Sequence, residues 1–195
     1  MTIHLPFSPR PSAKADFRPG VLYDIDGGDG QIYYGQVPRG NGIGFFRFRS
    51  EILKPEQALA AGIMSRFGVN RPSIGRALRA GVWRKVGRFD PDPALERSPL
   101  LVQWPVGTQQ VSIWQGNSVV RETVAHDPEI QALEVISDYD AADHVPSRLV
   151  ADYTQPDDAW KVGGSVWRYR RQKEDFARRF PEMPWHQLPH DWVPT

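Results

Sequence analysis

Residues 21–50, VLYDIDGGDGQIYYGQVPRGNGIGFFRFRS, set three runs rich in β-branched and aromatic residues around two glycine-dense turns, Asp26-Gly27-Gly28-Asp29-Gly30 and Arg39-Gly40-Asn41-Gly42. This is the pattern of an antiparallel β-meander, because glycine reaches the positive φ of tight hairpin turns without the Cβ clash that other residues meet. Strand alternation assigns the faces. Val21, Tyr23 and Ile25 share one side and Leu22 and Asp24 the other, while Ile32 and Tyr34 oppose Tyr33 and Val37. Phe45 and Phe46 are adjacent and must point opposite ways, so the sheet is expected to be covered on both faces. Gly35, inside a strand pattern, marks a bulge or a close backbone approach.

Beyond the meander, Pro55 stands at a plausible first helical position and good helix formers follow, so a helix is predicted over 55–67, ended by Gly68. Short β-prone runs at 82–89, 100–106, 111–115 and 119–124 read as further strands of the same sheet system, with Gln115-Gly116-Asn117 as a tight hairpin. Residues 132–139 fit strand and helix equally. Residues 157–160 read as the first turn of an element that Gly163-Gly164 breaks. Ser165 to Phe180 is predicted helical, with an apolar stripe of Val166, Tyr169, Phe176 and Phe180 and an opposite face of Arg168, Arg171, Lys173, Glu174 and Arg178. Pro181 stops it, and a proline-aromatic tail is expected to pack over the body in extended form. The fold class is therefore mostly β (α+β): a twisted antiparallel sheet or half-barrel with one or two short helices, a C-terminal helix and the tail. Along the chain this gives a loose arm at 1–16, a β domain at 17–125, and a C-terminal extension at 126–195, with its helix at about 165–180 packed on that domain.

With 24 basic and 23 acidic residues the net charge is +1, so no global field draws a nucleic acid or a membrane surface. The absence of cysteine excludes disulfides, thiolate metal sites and a cysteine nucleophile. No apolar signal-peptide region and no membrane-length apolar run is visible, which reads as a cytoplasmic protein of bacterial style.

The local charge is sharper. Met64 to Phe89 holds seven basic residues and no acidic one, whereas Arg121 to His144 holds seven acidic residues against Arg121 alone. The plain account is mutual compensation of two solvated segments. The functional one makes either a docking surface, with Arg76, Arg79 and Arg84, or Asp138, Asp140 and Asp143, as its contacts. Metal-ligand types cluster only around His126, Asp127 and Glu129 and again around Asp138, Asp140, Asp143 and His144, at no spacing of a known site, so an acidic loop is the better reading and no cofactor is expected. Asp24 to Gly30 departs from a calcium loop, since Gly28, Asp29 and Gly35 stand where Asp or Asn, Gly and Glu are required. The many tryptophans read as core plugs and tail anchors before stacking platforms.

Two resemblances follow. Residues 66–82, RFGVNRPSIGRALRAGV, resemble the turn and recognition helix of winged helix-turn-helix repressors, which implies Arg and Ser contacts to DNA. Gly20-Val21-Leu22-Tyr23, Asp29-Gly30-Gln31-Ile32-Tyr33-Tyr34-Gly35-Gln36-Val37, Phe45-Phe46 and Gly81-Val82-Trp83-Arg84-Lys85-Val86-Gly87, the last similar to a G-x-W-x-x-I-G element, resemble the immunity protein 26 family. That bacterial group is sometimes labelled together with HocA-like phosphotriesterases, and the likeness spans residues 17–125. It implies a mostly β protein encoded beside a secreted toxin, which it neutralises by direct binding without catalytic residues. The phosphotriesterase label implies metal-dependent hydrolysis, for which the five histidines offer no H-x-H or H-E-x-x-H spacing.

Overall fold

The computed structural model describes residues 7–154 and 163–195, so the turn expected at 157–160 and the start of the N-terminal arm lie outside the described residues. In chain order the strands are β1 (Val21–Asp26), β2 (Ile32–Gln36), β3 (Ile43–Ser50), β4 (Ile63–Val69), β5 (Trp83–Arg88), β6 (Leu100–Gln103), β7 (Gln110–Gln115), β8 (Ser118–Val124), β9 (Glu134–Val135) and β10 (Asp138–Tyr139). The helices are α1 (Pro55–Ala60), α2 (Arg71–Ala80), α3 (Val145–Thr154) and α4 (Val166–Arg179). The fold is mostly β, two sheets with one curled into a half-barrel. Two compact units form: one holds the chain up to Ser98 and again from Ser137, the other Pro99–Ile136 and Gly163–Thr195.

The first unit is built on a six-stranded sheet ordered β10-β4-β3-β2-β1-β5, antiparallel except where β10 runs parallel to β4. The meander is present with the faces that alternation assigns. Tyr23, Ile25, Tyr33 and Phe45 enter one core, under Ile74, Ala77 and Leu78 of α2 and Val145 and Leu149 of α3. Leu22, Ile32, Tyr34 and Phe46 enter the other, with Phe7 and Ala58. The first turn is longer than a two-residue hairpin and is closed by its aspartates: Asp26 accepts from the Gly28 N–H (2.9 Å) and Asp29 from the Gln31 N–H (3.0 Å), with positive φ at Gly28 and Gly30. A Cβ on Gly35 would stand 3.0 Å from the Phe45 ring, and the β2–β3 register shifts at this point, so bulge and close approach coincide. The N-terminal arm is anchored at two points, where Phe7 is buried and where the Arg10 N–H donates to the Arg79 carbonyl, while residues 8–12 are exposed.

Two local expectations change. The helix predicted over 55–67 is only α1; the chain turns extended at Ala61 and β4 pairs with β3. Pairing with β3 and burial of Phe67 and Val69, both strand-favouring residues, decide for the strand. Gly68 therefore lies within a strand, where a Cβ would meet the Asp138 carboxylate and the Ser137 carbonyl. Helix α3, which the sequence reading lacked, carries a buried Arg148–Asp152 ion pair (2.8 Å), with the Arg148 guanidinium 4.7 Å over the Phe67 ring.

In the second unit, β6, β7 and β8 do not extend the meander's sheet. They form their own, ordered β8-β7-β6-β9, because β9 pairs in parallel with β6. Gly116 at φ +60° turns the hairpin, with Gln115 opposite Ser118. Val102, Val111, Ile113, Ala125, Ile130, Val135 and Val166 make this unit's core. The segment 132–139 resolves into β9 here and β10 in the first unit. The tail is clamped: Arg170 donates to the Val193 and Pro194 carbonyls (2.8 and 3.0 Å), and Glu174 accepts from Trp192 Nε1 and the Thr195 N–H (2.9 and 2.7 Å). The helical stripe is less apolar than predicted, since Lys173 lies beside Tyr169 and Phe176 at spacings of four and three, and Arg168 and Arg170 are buried.

Candidate functional site

The first unit places most of the candidate contacts on one ledge made of α2 and the turn after β10. Helix α2 begins where Asn70 caps it: the side-chain oxygen accepts from the Ser73 N–H (3.2 Å), Pro72 occupies the first turn, and Gly81 at φ +78° closes the C-terminus. Its inner side buries Ser73, Ile74, Ala77 and Leu78, which leaves Arg76 and Arg79, three apart, on the outside.

The acidic turn is fastened to this helix by a buried serine. Ser73 Oγ accepts from the Ala141 N–H (2.8 Å) and donates to the Asn70 carbonyl (2.6 Å), and Trp83 Nε1 donates to the Ala141 carbonyl (2.8 Å). Asp140 then shapes the turn, accepting from the Ala142 N–H at 2.9 Å and the Asp143 N–H at 3.2 Å, and meets Arg76 at 2.5 Å. Burial pushes the Asp140 carboxyl up, but those two N–H groups and the Arg76 guanidinium outweigh it and hold the carboxyl below its usual range. Asp138 and Asp143 are exposed on either side.

The candidates thus divide. Arg76 and Asp140 come together, flanked by Asp138, Asp143 and Arg79. Arg79 also leans on the N-terminal arm, at 3.5 Å from the Ala13 carbonyl. Arg84 does not join them. It lies on the opposite face of the sheet, where β1–β5 pairing sets it against Asp24, donating through Nε (3.0 Å) and Nη2 (2.5 Å) to one carboxylate oxygen, with its guanidinium 5.2 Å over Phe7. Asp24 is fully buried and its other oxygen has no partner. Burial raises its carboxyl above the usual range despite Arg84. Nothing in the local sequence marks Asp24 as the partner of Arg84, because the two meet only through strand register.

The basic and acidic segments meet in the Arg76–Asp140 ion pair. Arg66 spends its guanidinium on the Asn41 and Arg97 carbonyls (2.9 and 2.6 Å), and Lys85 on Asp16 (2.5 Å). Of the metal-ligand candidates, His126 and Asp127 belong to the second unit and His144 to the first. Asp127 is engaged by Arg121, Thr123 and the Glu129 N–H, and His144 Nδ1 accepts from the Asp140 N–H (3.3 Å). Among the described residues no three His, Asp or Glu side chains converge as metal ligands. Helix α2 follows strand β4 rather than a first helix, and the acidic turn is fastened against it through Ser73 and Arg76. No helix among the described residues is long and apolar enough to cross a membrane.

Searches against protein-family models, curated proteins and solved structures find no match to this chain.

Proposed function

We propose that the chain acts by binding, as the neutralising partner of a protein toxin, and that α2 with the 138–143 turn of the first unit is its contact surface. The observation that carries this reading is the ledge itself: side chains of both signs presented outward on a backbone fixed by the Ser73–Ala141 and Trp83–Ala141 hydrogen bonds. A surface whose backbone is already ordered loses little entropy on docking, and charges of both signs steer and register a complementary partner. The Arg76–Asp140 pair is exposed on the arginine side, at 59 %, so it contributes little to stability and remains available to re-pair across an interface. The resemblance to immunity proteins supplies the class of partner.

The test is protection of cells from the toxin that this reading expects to be encoded by a neighbouring gene, with the neighbouring gene products expressed one at a time. Wild type should protect. Arg76→Glu/Arg79→Glu and Asp138→Lys/Asp143→Lys should each weaken the isolated complex by about a hundredfold, as expected when interface charges are reversed, at unchanged melting temperature. Full protection by both double variants would end this assignment of the surface, and failure of the wild type to bind or protect would end the toxin reading.

A further inference from the structure

The second unit encloses a cavity of about 220 Å³. One wall is the face of α4 that carries Tyr169, Lys173 and Phe176; the opposite wall is the tail, through Trp185, His186 and Trp192. This cavity is built. Trp192 stacks on Trp104 at 6.0 Å with planes 9° apart and is tied to Glu174 through its indole N–H. His186 packs on Phe176 at 4.9 Å. Trp185 stands at the rim, 67 % exposed, a large aromatic ring left uncovered beside an opening.

The charge inside is one-sided. The Lys173 ammonium lies 5.0 Å from the Trp104 ring centre, and among the described residues no carboxylate pairs with it. No lining residue is acidic, and neighbouring Glu174 is committed to Trp192 and Thr195. Burial without a counter-ion holds the lysine below its ordinary pKa, a penalty that an entering anion would offset.

We infer that this cavity binds a small aromatic carboxylate, with its ring among Phe176, Trp185 and Trp192 and its carboxylate on Lys173 Nζ. The size selects one or two fused rings: the cavity exceeds the roughly 150 Å³ that accommodates benzene and falls short of the roughly 300 Å³ at which drug-sized pockets begin. A phosphate dianion calls for several convergent donors, and the wall offers a single ammonium. An organic cation, the usual guest of aromatic cages, would be repelled by Lys173, which already occupies the face of Trp104.

The probe is 2-naphthoate, titrated into the full chain by calorimetry and by amide NMR, with neutral 2-naphthamide in parallel. The acid should bind with shifts at the Trp185 and Trp192 indole N–H groups, and at least about tenfold more tightly than the amide, as a charge-assisted hydrogen bond implies. Lys173→Met should erase that preference, while Lys173→Arg should keep it. Trp185→Ala, at an exposed position that leaves the helix untouched, should weaken the acid severalfold. Equal affinity for acid and amide, an unchanged preference in Lys173→Met, an unaffected Trp185→Ala, or no saturation of wild type up to the solubility limit would each overturn the assignment.

Discussion

Tyr23 and Tyr33 show what a single buried hydroxyl does to this protein. Both rings are essentially inaccessible, and burial pushes both phenols up to about 12, against modest opposing help from the Asp16 backbone for Tyr23 and from Arg49 for Tyr33. Unfolded tyrosines ionise near 10, so between 10 and about 12 the unfolded chain releases protons that the native state keeps. The stability tied to these phenols is intact below pH 10 and is lost as pH rises through that window, by about 2 kcal/mol for each. Urea midpoints measured from pH 9 upward should fall accordingly, and Tyr23→Phe should flatten the fall by about half; a flat wild-type profile would show that the phenols titrate freely. Asp24 and Arg84 argue the same point for charge. Arg84→Ala strands a buried carboxylate and should cost about 3 kcal/mol, whereas Asp24→Asn, which removes the charge and keeps an acceptor, should cost about 1. If thermal melts rank the two variants the other way, Arg84 is a surface residue in energetic terms and belongs again among the contact candidates.

At the scale of elements, the ledge depends on one side chain that joins a helix to a turn. Ser73→Ala removes the acceptor of the buried Ala141 N–H and should destabilise the first unit by about 1–3 kcal/mol. It should also speed hydrogen exchange at Ala141 well beyond the change at the β1–β2 amides; uniform acceleration would mean that Ser73 serves general packing only. The meander was legible because its signals are local: alternation, aspartates and glycines at the turn, and a glycine where Phe45 crosses β2. Helix α2 entered the sequence reading only through the helix-turn-helix resemblance of residues 66–82, although Asn70, Pro72 and Gly81 are local start and stop signals that could have found it. What escaped was decided at a distance. Met64, Arg66 and Phe67 suit a helix as well as a strand, and only pairing with β3 selects the strand. Helix α3 begins with Val145-Pro146 and carries valines that weaken any helical signal, and the Arg148–Asp152 pair holding it shows no local sign of being buried. Of the candidate site, the charged residues of both segments could be named, but not their sorting: Arg76 and Asp140 meet and Arg84 faces away because of register and sheet order.

For the whole molecule, composition suggests one cut along the chain, yet the chain leaves the first unit after Ser98 and returns to it at Ser137. The parallel pairings that allow this, β9 with β6 and β10 with β4, join residues far apart in sequence and leave no mark in either segment. Each unit encloses its own apolar cluster, so opening of one need not open the other. Ile113 sits in the second cluster, nearly inaccessible, and Ile113→Ala should cost about 3 kcal/mol through lost transfer energy and a residual cavity. Native-state hydrogen exchange should then accelerate about a hundredfold at the most protected amides of β6 and β7, since every 1.4 kcal/mol is a factor of ten. The most protected amides of β1 and β2 should stay within about twofold of wild type if the second unit opens alone. Equal acceleration in both sheets would show instead that the chain unfolds as a single cooperative body, in spite of its separate cores.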